Sequence, residues 1–461
     1  MINFLLHKKI YGIFIFIYLI SSINSPLFLP DNAEFITIFN FIRSLSPLFI
    51  TAFLLVLFFF KKFTLSKSSL IFIILILSQI IGFLLNDQRK IYDLYWLICA
   101  ISLVLFLEYY CNQLLDIKKI ILVFISLIFI ISATISYYIL IETFNNYHFL
   151  EQIVRTTYHS NVTAISNDFI RQPVPRSSGY TRFLIIIFLF LLPFIFFSKL
   201  KKKNYRFKII NILIILSLIF IGVIFWKIQN RSSLYFYIIL SVVFFLYLII
   251  KKKINKIFIF SIIFILPYLI YQAEIKYKKN LIYSYSYKLN KQEIYKDPDA
   301  SSQLILKQKT DKLTKDLSRS IESLDRWKNP SNTSGRLEIW KSSLKIIEQN
   351  FFFGLGPQTD RYKLDISASN ILIYLFLCGG LFTVLIFFLY KTYLTLILFQ
   401  LFKKNNIFKI LNDKFLFFSI LIFFFMNFRG IVENSYSLYG IDMVAFLLAV
   451  KYLELSYRFK K

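Results

Sequence analysis

Apolar runs alternate with short polar and basic stretches from one end of this chain to the other. Leucine, isoleucine, phenylalanine and tyrosine dominate residues 10–23, 44–60, 69–85, 92–110, 120–141, 183–197, 209–226, 234–250, 257–271, 371–390, 415–428 and 441–455. A helix rises about 1.5 Å per residue, so crossing about 30 Å of hydrocarbon takes roughly 17–25 residues. The pattern therefore predicts about twelve membrane-spanning helices, the shortest of them towards the two ends of the chain. The expected fold class is all-α: a polytopic membrane helix bundle with one large, mainly helical loop outside the membrane. Three segments follow from this pattern: a membrane bundle over 1–272, the helical loop over 273–368 and C-terminal membrane helices over 369–461. No internal repeat is evident.

Composition makes lipid the necessary solvent. The 461 residues are 57% hydrophobic and 19% aromatic, with a mean hydropathy of +0.63, more apolar surface than one soluble core can hide. The net charge of +29 would suggest nucleic acid in a soluble protein, but its placement gives it a topological meaning. Lys8 and Lys9, Lys61 and Lys62, Lys118 and Lys119, residues 199–208 and 251–256, Lys403 and Lys404, and Lys460 and Lys461 fall at the two ends and in alternate loops. By the positive-inside rule these stretches are cytoplasmic, with both termini inside. Arg89 and Lys90, in a loop expected outside, are an exception. No nucleic-acid module is visible. The first run lacks a clear small-residue cleavage site and is expected to remain as an anchor.

Cys99, Cys111 and Cys378 sit in or beside apolar runs and offer no disulfide framework. With His7, His148 and His159 as the only histidines, an all-protein zinc site is not expected. Asp297-Pro298-Asp299 has the spacing of an acidic metal pair, but its proline reads as a turn.

The alternation places residues 142–182 and 273–370 outside. Helical spacing recurs within the second, over 301–327 and more cleanly over 336–349, where Leu337, Trp340, Leu344 and Ile347 make one apolar stripe. This helix is expected on the bilayer surface or on the bundle. Arg176, Arg182, Arg231, Arg336 and Arg429 all fall on the outer side. A guanidinium near hydrocarbon is costly unless paired or employed, and its planar fork suits a phosphate. Together they suggest a lipid-borne diphosphate.

Several motifs occur in a set order: Asn230-Arg231-Ser232-Ser233 at the start of a span, Arg336 four residues before Trp340, Gly354-Leu355-Gly356, Ser369-Asn370 opening the next span, and Gly379-Gly380 below it. This order resembles the O-antigen ligase and O-antigen polymerase superfamily of bacterial envelope enzymes, and Arg176-Ser177-Ser178-Gly179 is similar to the family's earlier Arg-x-x-Gly turn. The likeness covers roughly the C-terminal half. It implies transfer of a glycan from undecaprenyl diphosphate to a hydroxyl acceptor, either a growing polysaccharide or a lipid A-core, at the periplasmic face of the bacterial inner membrane. No cofactor or metal is implied.

In this reading Arg231 and Arg336 stabilise the leaving diphosphate, supported by Arg176 and Arg182, while Trp340, Gly354 and Gly356 contribute to substrate binding. Ser369 and Asn370 occupy the family's catalytic His-Asn pair. The departure at Ser369 removes a titratable group, and a serine hydroxyl is a poor base near neutral pH. His159 and Glu433 are alternative bases; the polymerase reading, in which that histidine is less obligatory, also accommodates the change. A polysaccharide flippase or other transporter and a non-catalytic assembly subunit are the alternative classes.

The topology is open to direct measurement. Single cysteines at positions 159 and 340 are expected to label in intact cells, and those within 201–203 and 251–253 only after permeabilisation. Labelling of position 340 only after permeabilisation would remove the basis for an outward-facing site.

Overall fold

The computed structural model describes residues 10–22, 33–60, 63–86, 91–147, 177–196, 205–228, 231–252, 256–273, 276, 336–364, 368–404, 413–433 and 439–459. Their regular structure is entirely helical: α1 (Tyr11–Ser21), α2 (Ala33–Phe59), α3 (Lys67–Leu85), α4 (Ile91–Tyr110), α5 (Leu114–Tyr147), α6 (Ser177–Phe196), α7 (Tyr205–Ile228), α8 (Arg231–Ile250), α9 (Lys256–Ala273), α10 (Arg336–Gln349), α11 (Thr359–Lys363), α12 (Ile371–Lys404), α13 (Lys414–Val432) and α14 (Ile441–Arg458). Each apolar run of the sequence falls on a helix, and several helices extend well beyond their run: α2 begins at Ala33, α5 covers Leu114–Tyr147 and α12 continues to Lys404. Among the described residues eight helices are long and apolar enough to cross a membrane: α3, α4, α5, α7, α8, α9, α12 and α13. Shorter apolar helices are α1, α6 and the stretch Ser44–Phe59 of α2. The helix expected over 301–327 lies outside the described residues, as do His159 and Arg176.

The chain divides into two compact units, one made of Met1–Ile130, Ile185–Lys203 and Thr333–Lys461, the other of Ile131–Leu184 and Asn204–Asn332. In the second, Tyr237 of α8 donates to Ile263 O of α9 at 3.0 Å and packs edge-on against Phe225 and tilted against Phe264. The Tyr180 hydroxyl of α6 bonds that of Ser136 on α5.

In the first unit, consecutive helices run antiparallel, and polar contacts mark its two ends. At one end Asn86, just past α3, donates to Leu355 O at 2.8 Å, and Asn370, at the start of α12, donates to Ile431 O near the end of α13 at 2.8 Å. At the opposite end Lys451 of α14 meets Glu108 of α4 at 2.6 Å. There Ser66 caps α3 and also donates to Glu108 at 2.6 Å, Ser68 donates to Glu454 at 2.6 Å, and Asp413 caps α13 and accepts from Tyr452. Glu108 is buried, 3% exposed. Phe14 of α1 packs on Tyr110, so α1 begins at the end where α14 finishes.

Between the two ends Lys391 of α12 donates to Asn427 of α13 at 2.5 Å. Its ammonium lies 5.3, 5.4 and 5.0 Å from the ring centroids of Phe387, Phe423 and Phe446, which solvate it by cation–π attraction.

The central irregularity is in α12, where Gly380 takes φ 62° and ψ −162°. In an unbroken helix the carbonyls of Leu377 and Cys378 would accept from the N–H groups of Leu381 and Phe382. Here they accept from Leu355 and Gly356, both at 2.8 Å, while Leu381 and Phe382 donate to Phe351 O at 2.7 Å and Phe352 O at 3.4 Å. The loop after α10 thus enters the break and exchanges four backbone bonds with it. Residues 381–404 alone would span about 36 Å, enough to cross the hydrocarbon, so the break lies near one membrane boundary.

Two glycines make this exchange possible. A Cβ on Gly380 would come within 2.3 Å of the Phe352 carbonyl, at a positive φ that side chains disfavour. On Gly82 of α3 it would lie 2.4 Å from Phe353 O and 2.8 Å from Gly356 N. Gly82→Ala and Gly380→Ala are each expected to cost on the order of 2 kcal/mol or more, read as lost thermal stability in detergent. Gly12→Ala, where the nearest atom is 3.9 Å away, should be neutral or slightly stabilising. Equal effects at all three positions would contradict the close-packed loop.

Candidate functional site

The end of the first unit that carries the broken helix also gathers most of the described motif residues. Leading into it is α10, with Arg336 at its N-terminus, half-buried. Its buried face differs from the stripe read off the sequence. Ser343 and Ile347 are buried and Trp340 half-buried, whereas Leu337 and Leu344 are 51% and 52% exposed. At about 100° per residue, Trp340, Ser343 and Ile347 point one way, and Leu337 and Leu344 point roughly 60–80° to the side. Hydropathy alone passes over Ser343. Its hydroxyl bonds Ile339 O at 2.7 Å within the helix, so this small residue can be buried without an outside partner.

Trp340 fixes the helix to the chain before α12 by donating from its indole nitrogen to Ala368 O at 3.0 Å. The Ala368 N–H donates in turn to Asp360 at 2.9 Å. Asp360 belongs to the short α11 and is fully buried; Thr359 beside it donates to Gly356 O at 2.6 Å. Indole, turn and carboxyl thus tie α10, α11 and the entry of α12 together.

Ser369 follows in the left-handed region at φ 52°, half-buried. Asn370 is the cap of α12: its side-chain oxygen accepts from the N–H groups of Leu372 and Ile373 at 2.9 and 3.1 Å, meeting donors that a helix start leaves open. Its amide nitrogen holds Ile431 O. The two glycines of the Gly-x-Gly turn have φ 63° and 96°, and their N–H groups are engaged within the fold, Gly354 with Asn350 O at 3.0 Å and Gly356 with Cys378 O.

Two residues beyond Ile431, Glu433 closes α13. It accepts from Arg429 Nε at 2.9 Å, with a second, shorter contact from the same guanidinium. Asp442, in the first turn of α14, lies 3.5 Å from Arg429 Nε. Sequence grouped Arg429 with the outward arginines. Its side chain is instead fully enclosed and neutralised by two carboxylates, while 15% of the Glu433 side chain is exposed. Buried guanidinium and carboxylate require such mutual pairing.

The remaining predicted residues belong to the second unit: Arg231 is the first residue of α8, and Arg182 is half-buried in α6. Among the described residues no group of three His, Cys, Asp or Glu side chains could hold a metal ion.

Asp360 and Asp442 escaped the sequence reading. One follows a turn and the other opens an apolar run, and neither spacing carries a motif.

Burial raises the Asp360 pKa above the ordinary carboxylate value, opposed by the Ala368 N–H and the Arg361 charge. The folded state therefore holds its proton to higher pH than the unfolded chain. This contribution to stability is complete below the unfolded pKa and is lost as pH rises through the folded one. Asp360→Asn keeps an acceptor for Ala368 and carries no charge. Its melting temperature relative to wild type is expected to increase as pH rises through that window; a difference constant with pH would refute the assignment. No protein-family model and no curated protein matches this chain.

Proposed function

We propose that this protein is a membrane glycosyltransferase of the O-antigen ligase and polymerase type, moving a glycan from undecaprenyl diphosphate to a hydroxyl of a growing polysaccharide or a lipid A-core. The observation that carries the reading is the convergence, at one end of one unit, of the Arg336–Trp340 helix, the Gly-x-Gly turn, Ser369-Asn370 and Glu433. Trp340 reaches Ala368, and Asn370 reaches the end of α13, so motifs far apart in sequence share one corner.

In this assignment the bundle has about twelve spans, counting the shorter apolar helices. Its site faces the periplasm of a bacterial inner membrane. The opposite end, with Lys118, Lys403, Lys404 and Lys414, is cytoplasmic by the positive-inside rule.

Breaking the glycosyl phosphate bond puts negative charge on the departing diphosphate. Arg336, at the N-terminus of α10, supplies a donor for it; the family resemblance assigns the same role to Arg231, with Arg176 and Arg182 in support. The proton of the acceptor hydroxyl needs a base that Ser369 cannot be. We assign it to Glu433, a partly exposed carboxylate held in place by Arg429 and two residues past the carbonyl that orients Asn370. Asn370, Gly354 and Gly356 then act by shaping the site, because their polar groups are already committed.

A transporter is the second reading, favoured by the broken α12 and the buried charges Glu108, Lys451, Glu454, Arg429 and Asp442. Those charges form ion pairs at the two ends of the unit, which favours a structural use. Detergent-solubilised protein given lipid-linked donor and acceptor separates the readings, because micelles have no second compartment. Product is expected in micelles, with Arg336→Ala lowering the rate about a hundredfold, roughly 3 kcal/mol, and Arg336→Lys failing to restore it. Glu433→Gln should fall likewise, whereas Ser369→His should leave transfer unchanged or reduced. No product from well-folded wild-type protein, or full activity in both Arg336→Ala and Glu433→Gln, would sink the proposal.

A further inference from the structure

With Trp340, Ser343 and Ile347 turned to the bundle, α10 presents Leu337 and Leu344 outward. The loop after it presents Phe351, Phe352 and Phe353, which are 42%, 64% and 48% exposed. We propose that these five side chains form a lipid-docking surface. It seats α10 at the bilayer boundary and, through the phenylalanines, holds the loop in the break of α12. This inference rests on the membrane character of the helices and not on the transferase reading.

The level of the surface comes from the covalent geometry. Phe351 and Phe352 contribute the carbonyls that accept from Leu381 and Phe382, and Phe353 O approaches Gly82 in the last turn of α3. Residues 381–404 span the hydrocarbon by themselves, and α3 finishes at Leu85, so both helices put the triplet at the same edge of the apolar layer. Exposed Leu84 and Leu85 of α3 and Phe382 and Leu385 of α12 lie on the spans that meet lipid there. The triplet continues that belt.

Charge points to the same occupant. Lys341 and Lys345 are exposed on α10, and Lys341 lies one helical turn from both Leu337 and Leu344, at i+4 from the one and i−3 from the other. An apolar pair sunk to the acyl boundary with ammonium groups just above it matches phosphate headgroups, which stabilise interfacial lysines. A soluble protein partner would leave the phenylalanines at the membrane edge uncovered.

The surface has a mechanical consequence. The clasp exchanges backbone bonds with a break at the edge of the apolar layer, Asn86 holds Leu355 O, and the burial of three aromatic rings in lipid adds to what keeps the loop there. Moving the rings into water would draw the acceptors Phe351 O and Phe352 O away from α12.

The test uses full-length protein in vesicles of phosphatidylethanolamine and phosphatidylglycerol, with spin labels placed singly at positions 338, 344 and 352 in a cysteine-free background. Labels at 344 and 352 are expected to collide more with dissolved oxygen than with a water-soluble nickel chelate, and the label at 338 the reverse. Nickel preference at 344 and 352, or protection from both reagents as under a second copy of the chain, would overturn the lipid surface. For the clasp, Cys378, whose side chain is fully buried, is kept as the sole cysteine and reacted with a membrane-permeant maleimide. Phe352→Asp should raise its labelling several-fold, while Phe352→Leu should leave it as in wild type. An unchanged rate in Phe352→Asp would overturn the coupling of lipid contact to the clasp.

Discussion

A backbone amide or carbonyl left without a partner in hydrocarbon costs several kcal/mol, and this rule governs the break in α12. Interrupting a helix at Gly380 releases Leu377 O, Cys378 O, Leu381 N–H and Phe382 N–H at once. The loop 351–356 supplies two donors and two acceptors in matching order. Loop and break are therefore one object, and neither satisfies its backbone in this layer without the other. The close approach at Gly82 packs α3 against this loop.

Because the clasp fixes where the chain from α10 re-enters the bundle, it also fixes the corner that follows. Trp340, Ala368 and Asp360 run from its outer side, and Asn370 carries the connection to α13. The opposite end is held by Glu108, Lys451, Glu454 and Arg458 with the serines at the start of α3. Removing one member of a buried pair leaves an uncompensated charge and costs about 3–5 kcal/mol. These pairs therefore specify which helix ends belong together. A bundle whose spans are interchangeable greasy rods gains its register from such few polar contacts, Lys391 with Asn427 among them.

Much of this was legible in the sequence because membrane spans are written in length and hydropathy, and each apolar run became a helix. The clasp was not legible. Gly379-Gly380 and Gly354-x-Gly356 were visible as separate turn signals, but nothing in spacing says that their backbones complete each other across the intervening chain. The face of α10 was misread because hydropathy ranks leucine above serine, whereas burial against a helix favours a small residue with an internally satisfied hydroxyl. Arg429 was grouped with the outward arginines for a related reason: its carboxylate partners, Glu433 and Asp442, stand on different segments and have no shared pattern.

Ser369 shows how conformation constrains chemistry at this corner. Its φ of 52° places it where side-chain-bearing residues are uncommon, a backbone state that costs about 1–2 kcal/mol for most of them. The turn persists because Ala368 is held from both sides, by Trp340 and by Asp360, and because Asn370 caps α12 immediately afterwards. Serine meets the needs of the turn while offering no titratable group, so geometry and proton transfer, which the family resemblance assigns to one histidine, become separable here. The carboxylate nearest in chain terms to the Asn370 tether is Glu433, and Arg429 fixes its direction. In the proposed transferase reading, the base therefore sits on the end of α13 rather than on the turn itself.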